Sequence, residues 1–126
     1  MPPLVAVIDD DNSVRESSES LIRSAGFAVR VFDSAEQFLN SPYLRKADCL
    51  VLDVWMPGMS GPELRRNLLS EGNDVPVIFI TAAADEEARA RELANGAVAY
   101  LTKPFDEEEL LSAIDRAVKS DSKRDD

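Results

Sequence analysis

The 126 residues suffice for one domain whose core needs neither disulfides nor a structural metal, and 44% hydrophobic with 30% charged residues is the balance of a folded chain. With 14 basic against 24 acidic residues the formal charge is -10, a field that repels nucleic-acid phosphates and anionic lipid and so argues against binding either. The chain has no histidine, which excludes Ser-His-Asp and Cys-His catalysis and excludes it as its own phosphohistidine donor.

In chain order, the N-terminus lacks a basic stretch followed by a long apolar region, and no apolar run approaches the roughly 20 residues of a membrane span, so a reducing cytoplasm is the expected location. Leu4–Ile8 is continuous and apolar, the expected first strand. Asp11 then suits an N-cap, Val14, Leu21, Ile22 and Ala25 recur near helical spacing, and Gly26 offers the left-handed stop. Residues 28–32 alternate as a second strand with Arg30 pointing away, and Ser34 with Gln37 reads as a capping box opening a short helix through Leu39. Residues 49–53 make a third strand in which Cys49 is a small buried thiol, and Asp53 stands at its carboxyl end.

After a Gly/Pro-rich turn, Pro62 opens a third helix whose buried side is read as Leu64, Leu68 and Leu69. Residues 77–80 are a fourth strand ending in Thr81, and 85–95 a charged, solvated helix closed by Gly96. Residues 98–102 alternate as a fifth strand; Asp106 to Glu109 then load the positive end of a last helix that buries Leu110, Leu111, Ile114 and Val118. Residues 1–119 form the domain, and 120–126 read as a polar tail or the start of a linker to an output domain outside this sequence.

Strands alternating with helices at this spacing predict an α/β fold with a doubly wound parallel sheet. The first, third and fourth strands are apolar throughout, whereas the second and fifth carry Arg30, Tyr100 and Thr102 and are the expected edges. Right-handed crossovers then favour the order 2-1-3-4-5, with ligands bound at the switch point between strands one and three. Asp9, Asp10 and Asp53 meet there, where a hard cation would relieve their mutual repulsion. Thr81 and Lys103 reach the same rim from strands four and five; a cis Lys103–Pro104 bond would aim the lysine inward. Acids, hydroxyl and ammonium together suit phosphoryl chemistry on a carboxylate.

The set Ile8-Asp9-Asp10, Asp53 followed by Met56-Pro57-Gly58-Met59-Ser60-Gly61, Thr81-Ala82, and Tyr100 with Lys103-Pro104-Phe105 resembles response-regulator receiver domains, from about Leu4 to Val118. The flavodoxin-like order 2-1-3-4-5 is itself illustrated by a member of that family. The resemblance implies that Asp53 accepts a phosphoryl group from a sensor histidine kinase or phosphotransfer protein. It implies a metal site of Asp9, Asp10, Asp53 and the Trp55 carbonyl holding Mg²⁺ or Mn²⁺, and phosphoryl oxygens bound by Thr81 and Lys103. It implies a switch in which Thr81 moves and Tyr100 turns inward, altering the 85–119 surface made by helix four, strand five and helix five to control homodimerisation or an output such as transcription. Bulky Trp55, and Ala83 with no acid or amide, are expected to slow loss of the phosphoryl group.

A second reading is an aspartate-nucleophile phosphatase of the haloacid-dehalogenase type, since Asp9-Asp10-Asp11 after an apolar strand loosely fits its opening motif. Against it, the first helix leaves no room for a substrate cap, and the acidic pair that such a phosphatase requires after the lysine's strand is missing. A third reading, an interaction module that kept the fold without the chemistry, has no reason to retain the full acid, hydroxyl and lysine set.

Overall fold

Five strands pair in parallel in the computed structural model, which describes residues 2–124: β1 Leu4–Ile8, β2 Ala28–Phe32, β3 Cys49–Asp53, β4 Val77–Thr81 and β5 Ala99–Thr102. Their order is β2-β1-β3-β4-β5, with the two polar-bearing strands at the edges as expected. The chain runs outward from β1 to β2 and then returns past β1 to β3, so the order reverses between β1 and β3. Helices α1 Asn12–Ser24, α2 Ala35–Leu39, α3 Gly61–Ser70, α4 Glu86–Ala94 and α5 Glu107–Arg124 make the connections.

Because successive strand residues point to opposite faces, each face collects its own core. Val5, Val7, Val51, Ile78 and Ile80 pack with Ile22 of α1 and with Leu110, Ala113, Ile114 and Ala117 of α5. Ala6, Ile8, Leu50, Leu52 and Phe79 pack with Phe38 of α2, Leu64 and Leu68 of α3 and Ala88 of α4. Cys49 is buried in β3.

The helix ends follow their local chemistry. Asp11 caps α1 by accepting from the N–H groups of Ser13 and Val14, and Asp85 caps α4 by accepting from Ala88. Ser34 caps α2 by accepting from Gln37 N–H, but Gln37 Oε1 accepts from Asp33 N–H at 2.7 Å, one residue short of a full capping box. The complete box sits instead at α3, between Ser60 and Glu63. Gly26 and Gly96 follow α1 and α4 at φ 96° and 101°, the left-handed stops expected of them.

Three expectations are corrected. Leu69 is 47% exposed, because a residue one step past Leu68 lies about 100° around the helix from the buried Leu64–Leu68 stripe. Glu92, read as part of a solvated face, is 5% exposed. The α5 backbone is helical to Arg124, into the segment read as a polar tail or the start of a linker, whose last residues, Asp125 and Asp126, lie outside the described residues. Leu111 and Val118 are half-buried, and Ala113 and Ala117 complete the α5 stripe in their place.

Candidate functional site

Ile8 pairs with Leu52 in the sheet, so the next residue of each strand, Asp9 and Asp53, emerges side by side at the β1/β3 switch point. Asp9 is fully buried and Asp53 4% exposed, while Asp10 faces water. One carboxylate oxygen from each lies within 4.8 Å of the other two. Lys103 leaves β5, at a cis bond to Pro104, and brings its Nζ to 2.8 Å from Asp9 Oδ2 and 3.7 Å from Asp53 Oδ1.

The two buried acids are held differently. Both Asp9 oxygens are engaged, Oδ1 accepting from Asp11 N–H at 2.9 Å and Oδ2 from Lys103, and Arg15 Nη1 donates to the Asp9 carbonyl at 2.7 Å. Asp53 has the distant lysine and a backbone N–H from Trp55. Burial above all, and then the charge of Asp9, push its carboxyl up from 3.8 to about 7, against the pull of Lys103 and the Trp55 N–H. That is a pocket short of positive charge, lined by hard oxygen donors. Such a donor set fits Mg²⁺, which binds through one or two carboxylates, substrate oxygens and water, and Mn²⁺ accepts the same ligands.

The loop after Asp53 is closed on itself. Val54 N–H donates to Ile80 O at 2.9 Å, and Gly61 N–H returns to Val54 O at 3.0 Å. A Cβ at Gly61 would collide with the Asp53 carbonyl oxygen, so only glycine permits this approach. Trp55 projects 68% exposed from the loop while Met56 turns into the core. Farther out, Met59 N–H donates to Glu36 Oε2 of α2 at 3.2 Å.

Thr81 ends β4 fully buried, and its carbonyl accepts from Lys103 N–H at 2.7 Å. Its hydroxyl is engaged within its own turn, with Ala83 O at 3.3 Å and Ala83 N at 3.2 Å. The fold thus gathers Asp9, Asp10 and Asp53, brings Lys103 against Asp9 and Asp53, and holds Thr81 beside them through its backbone. Tyr100 is buried, its ring 6.0 Å from that of Phe79 and tilted by 50°. Burial, reinforced by Asp85 and Glu92, raises its phenol above the usual range.

Two contributors escaped sequence reading. Arg15 reaches back to Asp9 from the first turn of α1, a contact suggested only by its standing four residues after the cap. Glu36, in the first turn of α2, carried no signal in the sequence, and only the fold shows it tied to the 54–61 loop.

The chain matches the family model described as response regulator receiver domain over residues 5–115. It belongs to that family. It is similar to Response regulator protein TodT of Pseudomonas putida, 45% identical over 116 residues, covering 92% of this chain and 51% of TodT. Transcriptional regulatory protein FixJ of Bradyrhizobium diazoefficiens is 36% identical over 115 residues, covering 91% and 56%. The solved structure of response regulator StyR superposes with a TM-score of 0.90 at 44% identity, covering 98% of this chain and 63% of StyR. The chain therefore spans about half the length of the curated relatives it matches. It is a receiver domain, the phosphorylation-controlled switch of a two-component system. The phosphatase reading loses its substrate cap as well, since α1 begins at Asn12, directly after the three acids.

Proposed function

We propose that Asp53 is the phosphoryl acceptor of this receiver, and the observation that carries the reading is the contrast between its two buried acids. Asp9 has both oxygens committed, whereas Asp53 keeps an under-compensated carboxylate facing the rim. In the transfer, an Asp53 oxygen forms a bond to phosphorus as the phosphorus–nitrogen bond of a phosphohistidine breaks, and the imidazole takes up a proton. With no histidine in the chain, the donor is a sensor kinase or phosphotransfer protein.

Asp9, Asp10, Asp53 and the Trp55 carbonyl would hold Mg²⁺ or Mn²⁺. The cation supplies positive charge that keeps Asp53 ionised at neutral pH and offsets the charge of the incoming phosphoryl group. Lys103 exchanges its contact with Asp9 for a phosphoryl oxygen, and the Thr81 hydroxyl leaves its bonds with Ala83 to do the same. Movement of the β4–α4 turn then changes the packing around Tyr100, whose ring is already inside, and with it the 85–119 surface. That surface controls homodimerisation or an output module, transcriptional by analogy with the name of FixJ, in the cytoplasm. The bulk of Trp55, two residues after Asp53, and Ala83, which supplies nothing to orient water, make the phosphorylated form long-lived. Among the described residues no helix is long and apolar enough to cross a membrane.

Incubation of the wild type and Asp53→Asn with acetyl phosphate and Mg²⁺, followed by intact-mass measurement, tests the assignment. One added phosphoryl group on the wild type and none on the variant is expected; equal labelling of both would move the acceptor elsewhere. A half-life of seconds for the labelled protein would remove the roles given to Trp55 and Ala83.

A further inference from the structure

The large apolar side chains that face water among the described residues are Trp55 and Leu69, and both border the gap between α3 and α4. Leu69 lines a cavity of about 270 Å³ with Arg65, Arg66 and Arg91. Trp55 lines a second cavity, of about 190 Å³, with Arg91 and Tyr100. Pro62, Arg91 and Glu92 line both, so the two form one trough with an exposed apolar side chain toward each end.

Three arginines meet here on a chain of net charge -10. The carboxylate lining the larger cavity is that of Glu92, and its Oε2 lies 3.4 Å from Arg91 Nε. Arg65 spans the gap, its Nη2 near enough to Gly96 to stand 3.1 Å from a Cβ built there. Its Nε is buried with no hydrogen-bond partner. A buried donor on a charged group is rarely left unpaired in a native fold, and across the two cavities three guanidinium groups face the carboxylates of Glu92 and Asp85.

We propose that the α3–α4 trough docks an acidic peptide segment of a partner protein, a carboxylate pairing with Arg65 and Arg91 while an aliphatic or aromatic side chain packs against Leu69 or Trp55. Guanidinium groups take carboxylates bidentately, and Arg and Trp are the side chains that carry most binding energy at protein interfaces. A basic segment is repelled by the three arginines, and a nucleic acid by the chain as a whole. A small inorganic anion would use the arginines but leave Trp55 and Leu69 in water, so the apolar ends favour a peptide.

The full unphosphorylated chain is panned against displayed random peptides lacking tryptophan, and enriched sequences are synthesised and titrated by fluorescence of Trp55, the chain's one tryptophan. Enriched peptides are expected to carry Asp or Glu beside an aliphatic or aromatic residue. Their affinity should fall roughly tenfold or more in Arg65→Gln/Arg91→Gln and in Leu69→Ser, and hold in Arg116→Gln on the exposed side of α5. Failure of any peptide to enrich, enrichment of sequences without an acid, or binding that survives these variants overturns the proposal. Arg91→Gln and Leu69→Ser alter exposed side chains, so each alone separates these outcomes even if Arg65→Gln does not fold. Binding is read without phosphate, so its failure and failure of the Asp53 assignment are separate results.

Discussion

Where α1 and α5 cover the sheet, the helices bury Ile22, Leu110 and Ile114 completely against a floor of valine and isoleucine. Where α4 covers it, the helix contributes the buried side chains of Ala88 and Glu92, with Leu93 half-buried. The rim between them keeps Asp9, Asp53 and Thr81 inside. A fully buried leucine or isoleucine stabilises by roughly 1.5–3 kcal/mol and a single methyl group by about 0.8, so the apolar hold on α5 is several times that on α4. The apolar hold is thus weak at α4 in particular, and that helix is left able to shift at small cost, as elements that move in signalling must be.

The sharpest test of this division is at the rim. The Asp53 carboxyl ionises near 7 in the fold and near 3.8 when unfolded, so between those values the folded state binds more protons and stability falls as pH rises. Asp53→Asn removes the penalty and should stabilise the metal-free protein by up to about 4 kcal/mol at pH 8, a gain that shrinks as pH falls toward 4. Urea titrations of both proteins across pH measure it; a constant difference would mean that Asp53 is not strained by its burial. Millimolar Mg²⁺ should raise the wild-type melting temperature and leave Asp53→Asn nearly unmoved.

On the α5 side, Ile114→Ala empties a fully buried position and should cost about 2–5 kcal/mol in the same titrations. A loss under about 1 kcal/mol would break the claim that α5 is held more firmly than α4. The smallest effect compares two alanines on opposite sides. Glycine at either costs about 1 kcal/mol of helix propensity. Ala113→Gly should appear in the global unfolding free energy, whereas Ala88→Gly should appear chiefly as faster amide exchange within α4. Exchange of α4 amides should already exceed that of α5 in the wild type.

The order of the sheet was legible because β1, β3 and β4 are apolar on both faces while Arg30 marks an edge, and that order alone places Asp9 beside Asp53. Lys103 could be assigned to the rim, though not to its 2.8 Å contact with Asp9, because the reach of a flexible side chain is not written in spacing. Thr81 was expected to face the acids, but a threonine hydroxyl can bond within its own turn, and here it does so with Ala83. Glu92 was misjudged for a different reason. A glutamate in a charged helix normally faces water, and only the arginines brought by α3 and α4 make its burial tolerable. Leu69 was misplaced by counting leucines without turning the helix through its 100° per residue.

The absence of one carbon atom at Gly61 bears on how chains of this shape can diverge. The first residue of α3 rests directly on the Asp53 carbonyl, so the spacing between β3 and that helix has no slack, and any larger residue would have to displace the strand itself. Tuning of the chemistry is thereby pushed outward, to exposed side chains such as Trp55, while the backbone beneath Asp53 stays fixed.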